Sequence, residues 1–182
     1  MRAAAASQEG EFTVRRFILT LGTILALAVP ASAQQVRNLA AINGWVAYIA
    51  QSNAGPLCGM GTEANSVGRF FWIKLERLNG DLHGFIQVGD RSWNVRQGAT
   101  GRIVVGIDRQ RAELNYTGTN RPDMIEASYR GAFDNFLNFV EAFAGGYRMQ
   151  VSFPGENVNP WSADLRGTRA VTEAFLACVR RI

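Results

Sequence analysis

The chain has 182 residues, 47% of them hydrophobic, with a formal net charge of +4, two cysteines and one histidine. That apolar share excludes a disordered chain and suits one packed domain, while basic residues scattered from Arg37 to Arg181 exclude the dense patch of a nucleic-acid binder. Cysteines so far apart, with a single histidine, exclude a CxxC redox motif and leave too few ligands for a Cys/His zinc centre.

The N-terminus carries the three parts of an export signal. Arg15 and Arg16 form the basic region, residues 17–29 (FILTLGTILALAV) an apolar run of 13, and Ala31-Ser32-Ala33 a small-residue cleavage site after Pro30. The run falls short of the roughly 20 residues that span a bilayer. Phe17 follows the arginine pair too early for a twin-arginine signal, so general secretion fits better. The expectation is a signal peptide over residues 1–33 and a single mature periplasmic or secreted domain over 34–182, with no membrane span after cleavage. Beyond position 33, Lys74 is the one lysine among sixteen basic residues.

After a short lead-in over residues 34–41, period-two alternation takes over. Residues 45–49 (WVAYI) form the first predicted strand, and the Gly- and Pro-rich stretch 54–61 reads as a loop. Residues 70–76 (FFWIKLE) predict a strand with Phe71, Ile73 and Leu75 on one face and Phe70 and Trp72 on the other. Asn79-Gly80 signals a tight hairpin because both residues tolerate positive φ. Residues 82–88 form the return strand, Gly89-Asp90 a second turn, and residues 92–96 a strand around Trp93 and Val95. Strands follow over 103–107, over 112–116 with Ala112, Leu114 and Tyr116 inward, and over 124–129.

Two helices come late. Over residues 132–144, Phe133, Phe136, Leu137, Val140 and Phe143 repeat at the spacing of one helical face, and Gly145-Gly146 offers a left-handed stop. Strands over 147–153 and 161–165 flank a loop. The last helix begins near Thr168, a predicted N-cap, and turns Val171, Ala174, Phe175, Cys178 and Ile182 inward. The predicted class is α+β: a mainly antiparallel sheet, sandwich or partly open barrel, with two late helices. In an oxidising compartment Cys58 and Cys178 should pair, stapling the C-terminal helix to the loop after the first strand.

Chemistry-bearing patterns are sparse. His83 alternates opposite Leu82, Gly84, Ile86 and Val88 and reads as a surface or satisfied histidine rather than a general base. Asp81, Asp90, Asp108, Asp123 and Glu126 show no spacing that pairs two carboxylates for hydrolysis, and aspartate is a routine turn residue. Residues 59–64 (GMGTEA) fit a dinucleotide fingerprint by letter, but without the preceding parallel strand and immediate helix it needs. The aromatics are more informative. Phe70 and Trp72 would form a contact patch if their face were open; the apolar helix over 133–143 is expected to cover them instead. Trp93 and Trp161, beside arginines or loops, would line a ligand mouth or close the core.

The early Gly44-Trp45 strand, the Cys58 segment, Ser92-Trp93, residues 104–108 and the ending 164–171 (DLRGTRAV), followed by Ala174-Phe175 and Cys178, resemble small exported proteobacterial proteins of uncharacterised function. The layout is loosely similar to the invasion-associated locus B type of periplasmic protein, and departs from it in cysteine number and in the terminal cysteine. The resemblance implies a periplasmic β-rich domain with a terminal disulfide and carries over no catalytic residues. The sequence thus predicts a non-enzymatic binding module for a small ligand, envelope component or protein partner, with no cofactor and no nucleic acid. A small secreted hydrolase using carboxylates is the rival.

Overall fold

A computed structural model of the chain describes residues 36–62, 68–129 and 133–182; the segment read as a signal peptide lies outside them. The strands are β1 (Arg37–Ile42), β2 (Trp45–Ser52), β3 (Gly55–Thr62), β4 (Arg69–Leu78), β5 (Asp81–Asp90), β6 (Thr100–Ile107), β7 (Gln110–Gly118), β8 (Met124–Tyr129), β9 (Arg148–Ser152) and β10 (Trp161–Asp164). Helix α1 (Phe133–Gly145) falls between β8 and β9, and α2 (Thr168–Val179) ends the chain. All ten strands of the described residues join one antiparallel sheet in the order β1-β2-β3-β4-β5-β8-β7-β6-β9-β10. The α+β class with two late helices is therefore observed.

Short connections account for most of this order, because a two-residue turn leaves a strand no neighbour but its predecessor. Asn79 and Gly80 join β4 to β5 with φ of 53° and 92°, and Asn43 and Gly44 join β1 to β2 with 51° and 79°. The lead-in of the sequence reading is thus the edge strand β1. The order breaks twice: β8 returns to pair with β5, leaving the β6–β7 hairpin outside it, and β9 then pairs with β6.

Side chains on one face of the sheet, among them Phe71, Ile73, Leu75, Ile86, Val88, Ile103, Val105 and Ile125, merge with Phe136, Val140 and Phe143 of α1 and Val171 and Phe175 of α2 into a single core. Helix α2 packs on β1, β2 and β3, and α1 on β5, β8 and α2. The sheet is open, since β1 and β10 share no ladder, but it curls around the helices. Trp45 Nε1 in β2 donates to the Asp164 carbonyl of β10 at 2.8 Å, and Asn43 Nδ2 to that of Arg166 at 3.2 Å.

Five local expectations are corrected. The predicted loop 54–61 falls almost wholly in the interior strand β3: Gly59 and Gly61 face away from the helices, where a Cβ would strike the Tyr48 ring and the backbone of β4. These glycines serve close packing rather than a turn. Gly89-Asp90 ends β5 instead of turning, and residues 92–96 are irregular instead of a strand. There the Asp90 carboxylate accepts from both the backbone N–H and the hydroxyl of Ser92, at 2.9 and 2.6 Å, drawing the chain out of a ladder. Gly145 and Gly146 stop α1 without positive φ; a Cβ on Gly146 would meet Ile107 and Leu165. Finally, Gly167 is the N-cap of α2, at φ 97°. Thr168 is buried inside the helix, its hydroxyl 2.8 and 2.7 Å from the carbonyl oxygens of Phe143 and Leu165.

The helix face is corrected too. α1 lies on the Phe71, Ile73 and Leu75 side, not on Phe70 and Trp72. Phe71 and Phe143 stack at 6.2 Å, and the bare backbone of Gly84 makes room for Phe136, whose ring a Cβ there would strike. Cys58 and Cys178 form the disulfide, with Cα atoms 6.0 Å apart and both residues buried.

Candidate functional site

One hollow follows from a fault in the sheet. β7 pairs with β8 only at Thr117↔Glu126 and Gly118↔Ile125, while β6 holds β7 along its full length. Beyond Tyr116, β7 therefore parts from β8. A cleft of about 440 Å³ opens there, between the β6–β7 hairpin and α1. Its apolar walls include Val105, Ala112 and Leu114 from the hairpin, Phe139 and Ala142 from α1, and Tyr129 from β8, while Asn135, Asn138, Ser128, Gln110 and the charged Arg111 and Glu113 supply polar groups. The volume falls within the range of about 300–1,000 Å³ typical of small-molecule sites.

Tyr129 brings a buried polar group to the lining of this cleft. Its ring meets Phe136 edge-on at 5.3 Å and Phe139 at 6.2 Å, so the ring is held. Its hydroxyl is buried and has no hydrogen-bond partner among the described residues. Burial pushes its pKa up to about 12. A buried hydroxyl without a partner costs about 1–3 kcal/mol, so the arrangement is one a hydrogen-bonding ligand would improve.

A second, smaller hollow of about 170 Å³ lies between the irregular 91–96 segment and the loop after β9. It is lined by Trp93, Val95, Tyr116, Ile125, Phe153 and Glu156, among others. Trp93 stands perpendicular to Phe153 at 5.2 Å. The Tyr116 hydroxyl donates to Glu156 Oε1, and burial, reinforced by that carboxylate, raises the phenol pKa.

The four aromatics singled out from the sequence do not meet. Of the four, Trp93 is the one that lines either of these two hollows. Trp161 is buried in the core, its indole N–H without a partner among the described residues. Phe70 and Trp72 lie on the sheet face away from the helices. There Arg121 covers Phe70 at 5.5 Å from the ring centre, and Trp72 meets Tyr48 edge-on at 5.3 Å, packing with Leu57 and Phe85. Lys74 stands on the same face, opposite Phe85 in the ladder, its pKa lowered chiefly by burial.

The candidate acids are mostly engaged in structure. Asp90 bonds Arg69 at 2.8 Å as well as Ser92, and Asp108 accepts the backbone N–H groups of Tyr147 and Arg148. Asp123 pairs with Arg121, and Glu126 accepts from Gln87. Asp81 is exposed at the start of β5. None of the five lines either hollow. His83 Nδ1 lies 3.8 Å from Glu76, and its ring stacks on Phe85. The fingerprint glycines Gly59 and Gly61 are buried mid-sheet in an antiparallel strand, which offers no phosphate cradle. Among the described residues no three His, Cys, Asp or Glu side chains gather as a metal site, and no helix is long and apolar enough to cross a membrane.

Sequence reasoning missed Tyr129 and the Asn135–Asn138 pair. Asn135 and Asn138 are three apart on α1, the spacing that places side chains on one face, and Phe139 adjoins them. That was the available signal. Comparison of the chain with protein-family models, with characterised proteins and with solved structures finds no match.

Proposed function

We propose that this chain is an exported, periplasmic binding domain whose cleft beside α1 takes a small ligand with an apolar body and one group that accepts a hydrogen bond from Tyr129. The carrying observation is Tyr129, whose buried hydroxyl has no partner among the described residues and which lines a hollow of mixed apolar and polar character. The apolar body would lie against Val105, Ala112, Leu114 and Phe139. Export is supported by the basic–apolar–small pattern of residues 1–33 and by the Cys58–Cys178 disulfide, a bond at home in oxidising compartments. The resemblance to periplasmic proteins of the invasion-associated locus B type belongs to the same reading and supplies no ligand.

Titration with anilinonaphthalene sulfonate, which joins apolar rings to a hydrogen-bond acceptor, tests the site. One saturable site that weakens about tenfold in Tyr129→Phe, as the loss of one buried hydrogen bond implies, and disappears in Ala112→Trp supports the reading. Binding unaltered by both substitutions overturns it.

A further inference from the structure

We infer that the hollow behind Trp93 is a second binding site, separate in its residues from the Tyr129 cleft, and that it takes a quaternary ammonium group. Three aromatic residues, Trp93, Tyr116 and Phe153, line about 170 Å³ together with one carboxylate, Glu156. Trp93 and Phe153 stand at 90°, so two walls of the hollow meet as a corner. Aromatic faces carry negative charge density and attract alkylammonium ions, more strongly where water is excluded. Tyr116 and Phe153 are buried, which supplies that exclusion. The volume is below that of a drug-sized pocket and suits a head group rather than a whole molecule.

Glu156 gives the hollow its sign. The side chain comes from the loop after β9 and is held by the Tyr116 hydroxyl. Gly101 of β6 makes this possible: a Cβ there would crowd both the carboxylate and the phenol oxygen. Val95, Ile125 and Val158, with the neutral Asn94, complete the lining, which holds no cationic side chain. A neutral ligand of equal shape would gain the apolar contacts but not the interaction with the rings and the carboxylate. A primary ammonium would be held less well, because its strong hydration is lost on entry.

The test follows tryptophan fluorescence of the purified protein during titration with choline, and with dimethylbutanol, its uncharged carbon isostere. Choline should quench saturably and bind at least about tenfold more tightly than the isostere, a factor within the reach of a desolvated cation–π contact. Glu156→Gln keeps an acceptor for Tyr116 and removes only the charge; it should weaken choline about tenfold by the same conversion at an unchanged melting temperature. Trp93→Ala should abolish choline binding. Pelleting with phosphatidylcholine but not phosphatidylglycerol vesicles would assign the group to a lipid head; choline binding without pelleting would assign a soluble ligand. Equal affinity for choline and its isostere, indifference to Glu156→Gln, or no choline binding would each overturn the inference. None of these results bears on the Tyr129 cleft, whose lining shares no residue with this hollow.

Discussion

Replacing Tyr129 by Phe separates a ligand-directed hydroxyl from a structural one. The ring contacts with Phe136 and Phe139 at 5.3 and 6.2 Å survive the change, because Phe keeps the ring. What is lost is one oxygen, buried and without a partner among the described residues. Its desolvation costs about 1–3 kcal/mol, and the space left by one oxygen returns part of that as a cavity penalty. The expected net effect is a ligand-free protein more stable by about 1 kcal/mol, which raises the melting temperature by roughly 2–4 °C at this size. Urea melts at neutral pH, with the ligand-free protein and its variant in parallel, read the difference. A second readout comes from alkali. Tyr129 holds its proton more tightly when folded, with a pKa of about 12 against 10.0 for the free side chain. Its contribution is therefore fully present below pH 10 and lost as pH rises toward 12. The variant should lose less stability over that window than the parent. A Tyr129→Phe protein destabilised by about 1 kcal/mol or more would show that the hydroxyl is already bonded. The argument for a ligand acceptor would then fail.

Two further substitutions examine the frame around the cleft. Phe136 is fully buried between α1 and the sheet, so Phe136→Ala should cost about 3–5 kcal/mol in denaturant melts; a loss under about 1 kcal/mol would contradict the packing. The disulfide closes a loop with a sequence separation of 120, for which chain entropy gives at most about 5 kcal/mol. Cys178→Ser should lower the melting temperature by several degrees, with no further fall on adding reductant. A further fall would show a contribution from some other bond.

Much of the sheet was legible because alternation survives wherever one face is buried. Residues 70–76 and 103–107 read correctly for that reason, and Asn79-Gly80 marked its turn through positive φ at both positions. β3 was not legible, since glycines read locally as a turn, and their role beneath Tyr48 and beside Trp72 is set by other strands. The 92–96 segment alternates as a strand does, yet the Asp90 side chain captures Ser92 first. The pairing of β8 with β5 rests on contacts across the whole β6–β7 hairpin, which no local pattern reports. The cleft was hidden for the same reason. It comes from the parting of β7 and β8, and a tyrosine at a strand end gives no sign that its hydroxyl will be buried alone.

The face chosen by the helices shows what a different reading of the same residues could have reached. β4 is apolar on both sides, with Phe71, Ile73 and Leu75 on one and Phe70 and Trp72 on the other, so its alternation cannot choose. The choice passes through Cys58. Once residues 55–62 are a strand paired with β4, Cys58 falls opposite Leu75 and Met60 opposite Ile73, and opposed residues share a face. Cys178 belongs to the apolar face of α2. A bond between the two cysteines therefore requires α2, and with it α1, to lie on the side of Leu75, Ile73 and Phe71. Phe70 and Trp72 must then find partners elsewhere, as they do in Arg121 and Tyr48. Shifting β3 by one residue against β4 would turn Cys58 to the other face and break the staple. The covalent tie thus constrains strand register and helix placement together, and through α1 it helps fix the wall of the Tyr129 cleft.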